Sequence, residues 1–257
     1  MAGVAATRIF AAAGAGGIAL TAWALSHSGM GRRELVRGLT TFYVALYSVY
    51  MAALVIGGIG LRSGILSGPA PFGLTVVPAA LGGCVIAGGL ITALLPRDLD
   101  QRVRRRLDGH TRLAGWASAI AAAGAAVAEG VRGAIGLLRS RNPALLGAVA
   151  WWGFDIAVLW ACFHAFGEPP PIPVIVMAYF TGMLGNLLPL PGGVGGVEGG
   201  MIAAFLAFDV TGGLAVVAVL TYRAVAFWLP TVPGLLAYLG LRRTVKEWEN
   251  SPTPAGP

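Results

Sequence analysis

Apolar residues run along this chain in long unbroken blocks, and polar residues gather in short segments between them. Leu39–Leu61 is 23 residues without a charge, and Phe72–Leu95 is 24. Pro143–Phe166 is 24 residues with one charge, Asp155. Ile172–Leu190 is 19 uncharged residues, and Leu214–Leu241 is 28 with Arg223 as its one charge. About 20 apolar residues suffice to cross a bilayer as a helix. Blocks this long and this uniform do not suit barrel strands, which alternate. Helices satisfy their own backbone where lipid offers no partner, so the pattern predicts an all-α polytopic integral membrane protein of about six to seven membrane segments.

Two stretches break the pattern. Ile9–Leu25 is short and contains Gly14, Gly16 and Gly17. Pro191–Phe208 has six glycines in its first ten residues and one charge, Glu198. Pro189, Pro191 and the glycines oppose a straight helix through this point. A broken or re-entrant pair meeting inside the membrane is expected, with irregular backbone held where protein or a wet cavity covers it.

A third stretch, Leu113–Leu138, has a different period. At 100° per residue Leu113, Trp116, Ile120, Val127, Val131, Ile135 and Leu138 share a stripe, with Ser118, Glu129 and Arg132 opposite. Basic residues flank it on both sides. It reads as one amphipathic helix on the cytoplasmic surface.

Charge then orients the chain. Charged residues are 11% of the total, against roughly 25% in a soluble domain, which excludes an ordinary water-soluble enzyme. Eighteen basic residues stand against eleven acidic ones, and Lys246 is the one lysine. Nine of the basic residues fall in Pro96–Arg141, three in Gly31–Gly38 and three in Arg242–Lys246. Gly167–Pro171 and Asp209–Gly213 have none. This is a topology signal, with basic loops and the C-terminus cytoplasmic, rather than a nucleic-acid surface. Cys84 and Cys162 lie in separate apolar blocks and read as small buried hydrophobes.

A shift of 180 residues relates two parts of the chain weakly. Gly16 meets Gly196, Thr41 meets Thr221, Phe42 meets Tyr222, and Gly60-Leu61-Arg62 meets Gly240-Leu241-Arg242. The assigned topology makes the copies inverted, a pattern of secondary transporters. The chain therefore reads as one membrane domain, 1–257. Within it, 9–62 is the first repeat, 72–95 a span, and 96–141 a basic cytoplasmic loop carrying the amphipathic helix. Then 143–190 holds spans, 189–242 is the second repeat, and 243–257 is a cytoplasmic tail.

Candidate chemistry sits at the breaks and the lone charges. In Leu188–Glu198, prolines end a helix while Gly192, Gly193 and Gly195 permit tight backbone turns. Glu198 then falls just inside a new helix start, where the dipole favours a carboxylate. Asn186 lies one turn before the break. Arg223 is nine residues into its block, about 14 Å deep, and a charge there faces a cavity or a partner. Glu198 and Asp155 are both candidate partners, and the pair serves either helix packing or a ligand phosphate. Asp98 and Asp100 form a D-x-D, best read as an acidic helix start. His27, His110 and His164 are isolated. No metal-ligand cluster or nucleophile–His–acid set is visible.

The run Pro189–Glu198, followed by Tyr222-Arg223, Phe227-Trp228-Leu229-Pro230 and Gly234, resembles the flippase-like membrane domain of lysylphosphatidylglycerol synthase/flippase proteins. Trp152, Asp155 and Gly167 fit the same pattern. The family's Gly-Glu acid in the first half is replaced by Gly14-Ala15-Gly16-Gly17. The resemblance implies lipid translocation without lipid aminoacylation, since it covers only the membrane region. It adds Tyr222 and Trp228 to Arg223, Glu198, Asn186, Asp155, Gly192, Gly193 and Gly195 as substrate-binding candidates. The expectation is a non-enzymatic flippase in a prokaryotic cytoplasmic membrane. Its partners are phospholipid and bilayer, with a homo-oligomer allowed and no cofactor, metal or nucleic acid. Two alternatives stand beside it: a membrane glycosyl- or phosphotransferase on a lipid carrier using Asp98 and Asp100, and a non-catalytic partner subunit.

Overall fold

The structure is a computed structural model and describes residues 31–94, 112–187 and 193–231, with Leu190 and a few positions within 21–26 and 233–240. Gly14–Gly17, Asp98, Asp100, Pro189, Pro191 and Gly192 lie outside the described residues, as does the tail. The first repeat's glycine-rich opening is therefore not described.

Among the described residues there is no strand. The helices are α1 (Arg32–Arg62), α2 (Phe72–Ala93), α3 (Arg112–Arg139), α4 (Ala144–Phe166), α5 (Ile172–Met183), α6 (Gly196–Ala207) and α7 (Gly212–Arg223). Five described segments are long and apolar enough to cross a membrane: Arg33–Arg62, Phe72–Ala93, Ala119–Arg139, Ala144–Phe166 and Gly212–Thr231. The chain is an all-helical polytopic membrane protein.

The break expected at Pro189–Gly200 is present. α5 and α6 have 12 residues each, about 18 Å apiece, too short for a core about 30 Å thick. They run antiparallel and close together. A Cβ on Gly182 would stand 2.2 Å from Met201 Cγ, and one on Gly185 would stand 2.3 Å from Gly196 O. Lipid gives no hydrophobic drive to helix pairing, so backbone contact through small residues carries this hairpin.

Contacts sort the helix ends into two groups. Gly68, after α1, lies against Val174 and Pro171 at the start of α5. Gly167, after α4, lies against Leu214 at the start of α7, and Leu206 near the end of α6 lies against Gly212. So α1, α4 and α6 end where α5 and α7 begin. The two helices of the proposed repeats, α1 and α7, run in opposite directions. The α5–α6 hairpin enters and leaves at one end, and its helices are each about 18 Å long.

The core gathers on α5. Val174, Ile175, Met177, Ala178, Tyr179 and Phe180 are all buried. Tyr50 of α1 donates its hydroxyl to Phe180 O and stacks on the Phe180 ring at 4.4 Å. Trp152 of α4 donates Nε1–H to Leu46 O at 2.8 Å. The polar tips of Tyr50 and Trp152 thus each find a helix carbonyl.

The helix α3 forms as the periodicity predicts, but its faces differ from that reading. Its small residues make the contact: Gly130 abuts Thr40, and Gly133 abuts Thr41. Trp116, Ile120, Val127 and Leu138 of the apolar stripe face outward, while Val131 of the same stripe is buried beside Gly89 of α2. Arg132 does not share a free polar face with Glu129. Its Nη1 donates to Ala93 O at 3.1 Å, capping the end of α2. A Lys or Arg near a helix C-terminus satisfies a carbonyl the helix itself leaves open. Glu129 is exposed and pairs with exposed Arg37 at 3.8 Å.

Candidate site at the tip of the re-entrant hairpin

The tip is built by local backbone chemistry. After α5 the chain tightens into a 3-10 turn, Leu184–Leu187. Asn186 donates to Met183 O at 3.2 Å. Its carbonyl fills the space where a Gly193 side chain would stand, 2.3 Å from an ideal Cβ. Gly193 and Gly195 have φ of +67° and +84°, a region that L side chains rarely adopt. Gly195 is the N-cap of α6, and its N–H donates to Glu198 Oε2 at 2.8 Å. Glu198 is the third residue of that helix, where a carboxylate caps free N–H groups and meets the positive end of the dipole.

Glu198 has a second duty. Arg223 Nε donates to Glu198 Oε1 at 2.6 Å, with the two side chains only 8% and 12% exposed. Arg223 ends α7 eleven residues after Gly212, about 17 Å along the axis. The next five residues, Ala224–Trp228, form a π-turn. Phe227 from that turn lies under the guanidinium, 4.2 Å from its carbon to the ring centroid. A carboxylate and an aromatic face together hold the cation away from lipid.

The acid on α4 does not join this pair. Asp155 Oδ2 accepts the Tyr222 hydroxyl at 2.7 Å and also the Tyr179 hydroxyl. Of the two candidate partners for Arg223, the structure selects Glu198. Trp228 is exposed and edge-on to Phe227, outside the cluster. Asn186 and Gly193 shape the tip, and Gly195 and Glu198 join tip to cation. Tyr179 was missed from sequence. A tyrosine in the middle of an apolar block is a usable signal, because its hydroxyl needs a partner when buried.

Residues 10–234 match the family described as the lysylphosphatidylglycerol synthase TM region. The chain belongs to that family. It is also similar to two UPF0104 membrane proteins of Methanothermobacter thermautotrophicus. One is 32% identical over 38% of this chain and 28% of the relative, the other 34% identical over 42% and 34%. A UPF0104 membrane protein of Methanocaldococcus jannaschii is 30% identical over 36% of this chain and 28% of its own length. The matched parts cover about a third or less of each relative. No solved structure matches the chain. Among the described residues no group of three or more His, Cys, Asp or Glu is arranged to hold a metal ion.

Proposed function

We propose that this protein moves a phospholipid, or a lipid-linked head group, between the leaflets of the membrane it spans. One observation carries the reading: a buried Arg–Glu pair stands where two apolar helices, each too short to span the bilayer, turn back on one another. Broken helices meeting at the midplane are where transporters bind polar cargo. Membership in the family is compatible with this role.

The geometry supports a displacement mechanism. Both oxygens of Glu198 are engaged, one by Arg223 and the other by the Gly195 N–H. A lipid phosphate reaching Arg223 competes with Glu198 for the guanidinium, which suits phosphate in a bidentate fork. Glu198 leaving Arg223 alters the cap of α6 as well. Head-group binding is thereby tied to the start of the returning half-helix.

On this reading no covalent bond is made or broken, and no cofactor is required. The protein resides in a prokaryotic cytoplasmic membrane with basic loops and C-terminus inside, alone or as a homo-oligomer. The test uses liposomes carrying acyl-chain-labelled phosphatidylglycerol and a membrane-impermeant quencher. The reconstituted protein should speed loss of inner-leaflet label, and Arg223→Ala should abolish the gain. No acceleration over empty liposomes would exclude this lipid as cargo. Metal-dependent turnover of a sugar-phosphate donor would instead favour a transferase.

A further inference from the structure

We infer that Asp155 is a proton-carrying site at mid-depth in the membrane. It is eleven residues from either end of α4 (Ala144–Phe166), about 16 Å. No ion pair joins it to a cation among the described residues, and Arg223 is held by Glu198. Its neighbours are neutral hydroxyls. Tyr179 of α5 and Tyr222 of α7 both donate to Oδ2. Oδ1 takes no hydrogen bond from any described residue, and Asp155 is only part-buried.

This arrangement suits one proton. A carbonyl oxygen has two lone pairs and accepts two donors. With a proton on Oδ1, Oδ2 is that carbonyl oxygen, and both tyrosines keep their bonds. Without it, a carboxylate stands in the membrane with two hydrogen bonds and no counter-charge, a costly state that two donors only partly offset. The proton adds to an Oδ1 lone pair from water and leaves to water; the tyrosines stay protonated throughout.

The titratable groups around Asp155 are few. They are Tyr179 from α5, and Tyr222 with its neighbour Arg223 from α7. From α1, Tyr47 and Tyr50 lie across Trp152. The α6 carboxylate, Glu198, faces Arg223 instead. The α3 arginines join α4 through 140–143, at the far end of the helix. Asp155 thus ties α4, α5 and α7 together, and Tyr222 and Arg223 are consecutive on α7. Loading or emptying Asp155 therefore biases the same helix that carries the cation. The proton site stands on its own geometry; its energising role rests on the translocation reading.

The experiment has two arms on the full chain in phosphatidylglycerol–phosphatidylethanolamine liposomes. Infrared difference spectra between low and high pH should give the stretch of a protonated carboxyl that disappears in Asp155→Asn. In Tyr222→Phe the Oδ2 carbonyl loses one of its two donors, so the Asp155 band should move to higher wavenumber while remaining present. That variant carries the test should Asp155→Asn not fold. In the second arm, a one-unit pH gradient should bias labelled phosphatidylglycerol by up to about tenfold for one proton per lipid. A sodium gradient at equal pH should give no bias, and Asp155→Asn should remove the pH effect. A missing Asp155-dependent band, or a sodium-driven bias, overturns the proton site. A normal band with no lipid movement leaves the proton site standing and defeats the translocation reading.

Discussion

Tyr222 and Arg223 are consecutive in the chain, yet their side chains serve different acids on different helices. Tyr222 reaches Asp155 on α4, and Arg223 reaches Glu198 on α6. Side chains one position apart on a helix diverge by about 100°. A single turn of α7 therefore joins the re-entrant hairpin to α4. The following predictions probe that arrangement and the frame around it.

Removing the cation should cost more than removing the pair. Arg223→Ala leaves Glu198 buried without its counter-charge, a loss of about 3–5 kcal/mol. Thermal unfolding in detergent should place it well below the parent. Adding Glu198→Ala should recover much of that loss. Arg223→Lys should fold better than Arg223→Ala but transport poorly, since a point charge replaces a planar fork. An Arg223→Ala protein as stable as the parent would mean the pair contributes nothing to the fold.

The hairpin should tolerate no side chain at its closest approach. In Gly185→Ala the new Cβ meets the carbonyl of Gly196, a backbone group that cannot swing aside. Helix separation of this kind costs roughly 1–3 kcal/mol. Gly199 has open space where a Cβ would stand, so Gly199→Ala should be near neutral. Melting temperatures of the two variants, measured side by side, check the contrast.

The two groups of helix ends should face opposite sides of the membrane. Single cysteines introduced at Ser63, Gly167 and Asp209, in a background lacking Cys84 and Cys162, should react with an impermeant reagent from outside. Cysteines at Arg33 and Arg141 should not. Labelling of Gly167→Cys and Arg33→Cys from the same side would break the grouping. Reversal of both together would keep the fold and invert the orientation read from the arginines.

The depth of α3 is open to direct measurement. Glu129 is exposed beside Arg37, near the start of α1, so a spin label at 129 should meet water-soluble relaxant. A label at Ile120 should meet oxygen dissolved in lipid, because that side chain faces outward. A helix lying on the surface gives a shallow, constant depth from 120 to 138. A crossing helix gives a steady gradient through the bilayer.

The apolar blocks alone determined that this chain forms membrane helices, because hydrocarbon leaves backbone groups no partner outside a helix or closed barrel. They also located the break at Pro189–Gly200, since proline and glycine act on their own backbone and need no distant partner. Glu198 at a helix start and Arg223 inside a span were legible for the same reason. Which acid meets Arg223 was not. Glu198 and Asp155 both lie at plausible depth, and only the packing of α6 and α4 around α7 decides between them. The same holds for Tyr179, whose hydroxyl finds Asp155 across 24 residues of chain. Arg132 is the third case. Periodicity set it opposite an apolar stripe, but most of that stripe faces outward, small residues together with Val131 make the contact on α3, and that turns Arg132 toward the open carbonyl at the end of α2. Local backbone preference is written residue by residue, whereas the choice among partners depends on how closely helices approach, which glycines at distant positions set together.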